Sequence, residues 1–533
     1  MFKNRKYAII YTFLLILRFW FSQGSSYIHP DEHLQSFQIF ANKLFGWKVE
    51  LPWEFTTKKP IRSVVPLNVM LLPIFLLCRC ICKSNCSPYP ILLFTRLYMC
   101  LISLLIDLSI WNIVPLNARW SALLLYSSSF MATTFQTHTF TNSIETIFFF
   151  LTILFLSKLN SVPLNKKISY LYTFLLAIVS VLGFFTRITF LAFVIAPYIY
   201  FSVRCFKKNV NNPKDIFLHL CIFVSVSFAT VLACILEDYK FYGVFVITFW
   251  NNLKYNSQIE NLSQHGLHSR LTHFFTNMPL LCGPLIFVPK LWDVRKPATW
   301  LWLLPVFILS LFPHQEPRFL LPAASIFIVN SGCLVRSYWI KFLFVMYAVV
   351  LAVFFGIMHQ NGVIPAVLEV KNIIEQRNVT TMENCNLYFN PEMPTTIYFW
   401  KIYSAPTWML ARPKFSQINT SHLYNYSTKQ MISKFWETYY EEVKVVNLPE
   451  ENTTEFQAST LLVCPVAMLQ TSSYLQNLTM LHYIPYHVDL DDTDELPLAE
   501  LIMNHGIGIF TAKEICENNT ITNELPTVLR SVG

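Results

Sequence analysis

Charge is scarce in this sequence. Asp, Glu, Lys and Arg make up only 13% of 533 residues, against about 25% in a typical soluble chain. Glycine is scarce too, at 12 residues, and no Gly-x-Gly-x-x-Gly or Gly-Lys-Ser/Thr loop occurs among them. Dinucleotide and nucleoside-triphosphate sites of the usual loop kind are therefore unsupported. No internal repeat or low-complexity tract stands out. Cys78, Cys80, Cys82 and Cys86 cluster beside Arg79 and Lys83, but without a two-residue Cys pair, so they do not read as a metal site.

Apolar residues fill the space left by charge. The chain is 54% hydrophobic, with a mean hydropathy of +0.43, which marks a polytopic membrane protein. The formal charge of +9 does not indicate a nucleic-acid partner, because its Lys and Arg sit in short clusters between apolar runs. The runs cover about 7–21, 64–82, 91–112, 143–157, 168–185, 188–203, 214–236, 278–290, 298–312, 319–335 and 340–358. The clusters Arg79/Lys83, Lys158/Lys166/Lys167, Arg204/Lys207/Lys208/Lys214, Lys290/Arg295/Lys296 and Arg336/Lys341 fall on alternate connections. All are cytoplasmic if the N-terminus is.

The stretch 120–136 is apolar enough to span, yet another crossing would move the C-terminus to the cytosol. The C-terminal part carries six Asn-x-Ser/Thr sequons, at Asn378, Asn419, Asn425, Asn452, Asn477 and Asn518, which favour a glycosylated, lumenal location. Residues 120–136 are therefore expected as a broken or re-entrant element. This predicts an all-α polytopic bundle of about eleven spans over 1–358 and a lumenal mixed α/β domain over 359–533. In that domain Val443–Val446 and Thr460–Val463 read as strands, and Met431–Glu442 as an amphipathic helix. Cys385, Cys464 and Cys516 allow one disulfide, with the pairing open.

With this threading the polar motifs collect at lumenal ends of spans. His29-Pro30-Asp31-Glu32-His33 follows the first run. Glu54 lies in Pro52-Trp53-Glu54-Phe55. His138, Asn142 and Glu145 lie in one stretch, and Arg187 follows another span. His265, His268 and Arg270 share a loop, and His314, Glu316 and Arg318 sit between two spans. Charge at a membrane boundary is expensive and usually functional. Each motif also has a structural alternative. Pro30 with two acids behind it is an ordinary helix start. His138, Asn142 and Glu145 suit the backbone of a broken helix, Arg187 suits snorkelling, and His265, His268 and His273 suit a wet loop. Asp489-Leu490-Asp491-Asp492-Thr493-Asp494 reads as a solvated acidic loop.

The ordered set His-Pro-Asp-Glu, Pro-Trp-Glu-Phe, Thr141-Asn142-Ser143-x-Glu145 and His314-x-Glu316-x-Arg318-Phe319 resembles the glycosyltransferase 22 family over roughly residues 7–335. The His-Pro-Asp-Glu form is similar to its GPI-anchor branch. Gln315, where the wider family commonly has Lys, and the His-Gly-x-His-x-Arg stretch are similar to the members that add a fourth, α1,2-linked mannose. Arg187-Ile188-Thr189 departs from the family in lacking an intervening Pro.

The resemblance implies a GT-C fold in the endoplasmic reticulum membrane. The implied partners are dolichyl-phosphate mannose as donor and a GPI precursor as acceptor. No cofactor is implied, and metal need stays open, since His29 and His33 flank two acids. A β-linked donor and an α-linked product require inversion. A carboxylate must then take the acceptor proton, Asp31 first and Glu32 as the alternative. A phosphate leaving group needs cationic support rather than a general acid. Arg318, His314 and Arg187 are the candidates, with Glu316 orienting Arg318. His29, Glu54, His265, His268 and Arg270 are candidate acceptor contacts. The third GPI mannosyltransferase, an N-glycan mannosyltransferase and a membrane transporter remain as alternatives, although a transporter would place its charges nearer the midplane.

Overall fold

In the computed structural model the described residues are 2–56, 58–82, 86–209, 211–264, 266–376, 378–380, 386–388, 395–414, 416–442, 444–446, 455–457, 460–470, 477–489, 497 and 505–512. They form two compact units. One comprises Met1–Gln23, Leu51–Ile81 and Leu93–Ala352; the other comprises Gly24–Glu50, Cys82–Leu92 and Val353–Gly533.

Among the described residues, eight helices are long and apolar enough to cross a membrane. They are Val65–Cys82, Pro88–Ile113, Thr141–Ser161, Lys167–Thr186, Phe190–Asn209, Pro213–Tyr242, Pro317–Leu334 and Tyr338–Met358. The expectation of about eleven also counted 7–21, 278–290 and 298–312, which are not among these eight. Residues 7–21 lie in a helix, Phe2–Ser22, that carries a fully buried Arg18. Residues 298–312 give Pro297–Ser310, only 14 residues with Pro305 inside, or about 21 Å at 1.5 Å per residue. Residues 278–290 break into three short turns around Gly283, whose φ of +52° no L side chain adopts easily. A Cβ there would also meet the Tyr347 ring at 2.5 Å.

The stretch 120–136 is broken, as expected. It forms Arg119–Ser127, Phe130–Thr133 and a 3-10 turn Phe135–Thr137. Ser129 is extended, and its side chain caps the amide of Ala132. Residues 129–150 are all buried, so the interrupted backbone is covered by protein. Nearby, Gly332 lets helix Leu321–Leu334 touch Arg119–Ser127 backbone to backbone; a Cβ there would lie 2.4 Å from the Cα of Ala122. The same unit buries an ion pair, Arg18 Nη1 to Asp107 Oδ2 at 3.0 Å, with Tyr11 also donating to that oxygen.

The second unit holds a five-stranded mixed sheet. Its strands are β1 (Thr395–Phe399), β2 (Ile418–His422), β3 (Thr460–Pro465), β4 (Leu478–Ile484) and β5 (Ile507–Ala512), in the order β2-β1-β3-β5-β4. β1 is parallel to β2 and β3, and β5 is antiparallel to its neighbours. The three central strands are buried along their whole length, as expected of a sheet covered on both faces. Helices Val363–Gln376 and Thr428–Glu442 pack on it. Strand Lys444–Val446 lies in a smaller, four-stranded sheet.

Residues 24–50 belong to this unit rather than to the bundle. Gln38 Nε2 donates to Thr407 Oγ1 at 3.0 Å, Lys48 Nζ donates to the Ser416 carbonyl at 2.7 Å, and Tyr27 donates to the Ser404 carbonyl. Cys464 is a buried free thiol in β3, and burial raises its pKa well above the ordinary thiol range. Cys385 and Cys516 lie outside the described residues.

Candidate functional site

In the second unit the chain turns at Pro30 and enters helix at Asp31. His33–Phe37 then adopts wider π-helical turns, a geometry frequent at functional positions. The two adjacent acids separate here. Asp31 keeps 21% of its side chain exposed. It accepts from Gln35 Nε2 at 3.0 Å, while its own amide donates to His29 Nδ1 at 3.1 Å. Glu32 has no exposure and faces His33 Nε2 at 3.5 Å. Trp408 Nε1 donates to His33 Nδ1 at 3.0 Å. An indole N–H can only donate, so the neutral ring carries its proton on Nε2, toward Glu32. Tyr27 and Phe37 stack on the same imidazole at 5.0 and 5.2 Å. Glu32 and His33 thus form a buried packing core, and Asp31 with His29 forms its wet edge.

The bundle unit carries three further groups. The first joins Glu54 to Arg62, whose Nε and Nη2 both lie 3.0 Å from Glu54 Oε1. Beside it, Trp53 packs on Tyr255 at 4.7 Å. Behind it, buried Asp238 accepts from Ser63, Val64 and Thr248 and so pins residues 63–64 to helix Pro213–Tyr242. The second group centres on Glu145, fully buried. Thr189 Oγ1 donates to it at 2.7 Å, and Arg187 Nε lies 3.6 Å from its other oxygen. Arg187 is therefore held inside rather than snorkelling. His138 does serve the broken backbone, with Nδ1 2.6 Å from the Thr134 carbonyl. The amide groups of Asn142 and Gln136 have no hydrogen-bond partner among the described residues.

The third group lies between two spans. Glu316 bridges His314 Nε2, at 3.0 Å, and Arg318 Nε. Phe319 packs against both arginines, its ring centroid 4.9 Å from the Arg187 guanidinium carbon and 5.6 Å from that of Arg318. Gln315 is buried and acts as a strut. Its Oε1 accepts from the His273 amide at 2.8 Å, and its Nε2 donates to the carbonyls of Phe312 and Ser310. A lysine there would lose the acceptor that holds residue 273. His268 and Arg270 are exposed; the His268 amide donates to the Pro313 carbonyl at 2.8 Å. His265 lies outside the described residues. No group of three or more His, Cys, Asp or Glu side chains able to hold a metal occurs among the described residues.

His273 is buried against this loop, and burial with His268 and His314 nearby pushes its imidazole down to about 4. Between that value and the ordinary 6.5, the unfolded chain binds more protons than the fold. Stability therefore rises with pH across the window and is lost as pH falls through it. Thermal unfolding of the detergent-solubilised protein is expected to show a larger drop from pH 7 to pH 5 than His273→Gln does. Equal drops would remove His273 from this role.

Asn419 and Asn425 are exposed and Asn477 is half-buried. Asn378 opens a short strand, and Asn452 and Asn518 lie outside the described residues. Asp489 is buried and accepts from Gln360 Nε2, which corrects its reading as part of a solvated loop. Residues 490–496 are outside the described residues. Sequence reasoning missed Arg18–Asp107, Arg62, Asp238 and Trp408. Only for the first pair was there a signal, the lone Arg18 of one apolar run and the lone acid of another, Asp107.

The chain matches the Alg9-like mannosyltransferase family over residues 9–412. It is 32% identical to GPI mannosyltransferase 4 of Aspergillus oryzae, over 94% of this chain and 98% of the relative. With GPI mannosyltransferase 4 of Saccharomyces cerevisiae the identity is 30%, over 72% of this chain and 73% of the relative. The crystal structure of ArnT from Cupriavidus metallidurans bound to undecaprenyl phosphate is similar at a TM-score of 0.52 and 9% identity, covering 96% of this chain and 99% of that one. At that identity the likeness speaks for the fold, which is of the GT-C type. A match across three quarters of its length makes this chain a multi-pass membrane member of the Alg9-like mannosyltransferase family.

Proposed function

We propose that the protein takes mannose from dolichyl-phosphate mannose in the endoplasmic reticulum. It adds the sugar, α1,2-linked, as the fourth mannose on the third mannose of a GPI precursor. The observation that carries this reading is full-length similarity to relatives named GPI mannosyltransferase 4. The exposed Asn419 and Asn425 sequons favour a lumenal C-terminal unit.

In this reading Asp31 takes the proton of the acceptor hydroxyl as its oxygen bonds to the anomeric carbon. The bond from that carbon to the phosphate oxygen breaks, and dolichyl phosphate leaves with the electron pair. Inversion follows from attack opposite the leaving group. Asp31 is favoured over Glu32 because a base needs access to its substrate, and Glu32 is fully buried against His33. Arg318, His314 and Arg187 support the phosphate. Glu316 orients Arg318. His29, Glu54, His268 and Arg270 contact the acceptor, as does His265.

Mass spectrometry of lipid-linked GPI precursors in cells depleted of the protein tests this. A three-mannose species is expected to accumulate and to clear on re-expression of a glycosidase-sensitive wild-type chain. Build-up of a two-mannose species would move the assignment to the preceding transferase. A normal GPI profile with truncated N-glycan precursors would move it to the N-glycan branch.

A further inference from the structure

Phe319 is half-buried rather than part of the core, yet it touches every group assigned above to the donor phosphate. The Arg187 guanidinium lies 4.9 Å from its ring centroid and that of Arg318 lies 5.6 Å away. The His314 ring meets it edge-on at 5.4 Å. The two arginines arrive separately. Arg187 follows helix Lys167–Thr186, and Arg318 is the second residue of the turn Pro317–Leu320. Each has its own carboxylate at Nε, Glu145 for one and Glu316 for the other. Thr189 adds a further tie to the first, and the Phe319 amide donates to the Glu316 carbonyl at 3.1 Å.

Two guanidinia near one ring repel each other, and each has large rotamer freedom to lose. An aromatic face offsets part of that cost, because its quadrupole attracts cations where an aliphatic side chain of similar volume does not. The two carboxylates set the directions of the guanidinia, and the ring sets their separation.

We propose that Phe319 is a positioning residue that presets Arg187 and Arg318 as a paired clamp for the phosphate of a lipid-linked sugar donor. The proposal rests on the phosphate-donor reading above. Arginine forks recognise phosphate by paired hydrogen bonds, so their mutual placement controls affinity. Glu145 and Thr189 hold one arm of the clamp, and Glu316 holds the other.

The test uses the full-length protein in membranes, with dolichyl-phosphate mannose titrated at fixed acceptor. Phe319→Leu is expected to raise the donor KM roughly tenfold. It should weaken inhibition by dolichyl phosphate to the same extent and leave the acceptor KM unchanged, and Phe319→Tyr should restore both donor values. Mono-, di- and trifluorinated phenylalanine at position 319, which keep the ring's shape and drain its quadrupole, should raise the donor KM in steps. A flat fluorination series, or a donor KM unmoved by Phe319→Leu, overturns the proposal and leaves the ring a packing residue. Arg187→Lys and Arg318→Lys, run alongside, separate the two readings. If these raise the donor KM and the Phe319 series does not, only the positioning role falls. If they too leave it unchanged, the phosphate assignment has failed first.

Discussion

Asp31→Asn is expected to lower turnover by roughly 10²- to 10⁴-fold, the usual worth of a general base, with little change in abundance or melting temperature. The reason is local. The amide is nearly the shape of the carboxylate, and its oxygen can still accept from Gln35 Nε2. The tie from the backbone amide of residue 31 to His29 Nδ1 does not involve the side chain. What is lost is the negative charge, and with it the ability to take a proton and the attraction to the His29 ring 3.6 Å away. Glu32→Gln gives the contrast, because that side chain is buried against His33, which in turn accepts a hydrogen bond from the Trp408 indole. Replacing the carboxylate that accepts from the neutral His33 ring weakens a buried hydrogen bond to a charged group, worth about 1.5–3 kcal/mol, so the expected loss is in melting temperature and yield. Initial rates and thermal unfolding of both variants decide the matter. Near-normal turnover in folded Asp31→Asn removes Asp31 as base. Lost turnover at a wild-type melting temperature in Glu32→Gln hands the role to its neighbour.

Arg318→Ala is expected to lower kcat/KM for the lipid-phosphate donor by roughly 10²- to 10³-fold, as removal of one preorganised donor to a developing anion does elsewhere. Glu316 would keep His314 as a partner at 3.0 Å, so the loop has a route to stay closed. The His273–Gln315 contacts that fasten it do not involve residue 318. Arg318→Lys restores the charge but not the two-pronged geometry, and should recover only part of the loss. Donor titrations at saturating acceptor measure this. Donor kinetics equal to wild type, with only the melting temperature reduced, would make Arg318 a structural partner of Glu316 and end its assignment to the phosphate.

Much of this protein is legible in local chemistry. Scarce charge and long apolar runs specify a membrane bundle, because each span satisfies its own backbone and needs only composition to be recognised. One break, in 120–136, is legible from the topology; the other is not, since 278–290 counts as a span although Gly283 with Pro279, Pro284 and Pro289 ends any long helix there. The strands Thr460–Pro465 and Lys444–Val446 and the helix Thr428–Glu442 follow from β-branched runs and a 3.6-residue period. The ordered motifs from His29 to Phe319 suffice to identify the family.

What the sequence by itself determined, then, is the solvent of each segment, its local conformation and the inventory of reactive groups. Tertiary structure alone decided which groups meet and which stay wet. Two adjacent acids look alike in sequence, yet the π-helical turn and the Trp408 stack bury Glu32 and leave Asp31 at an edge. Gln315 looks like a lost cation and proves to be a strut. Arg18 finds Asp107, and residues 24–50 fasten to 404–416, 368 to 377 positions further along the chain. The reason is common to all of these. Period and composition report interactions within a few residues, whereas desolvation and pairing of a single charge depend on partners brought near only by the packing of distant segments.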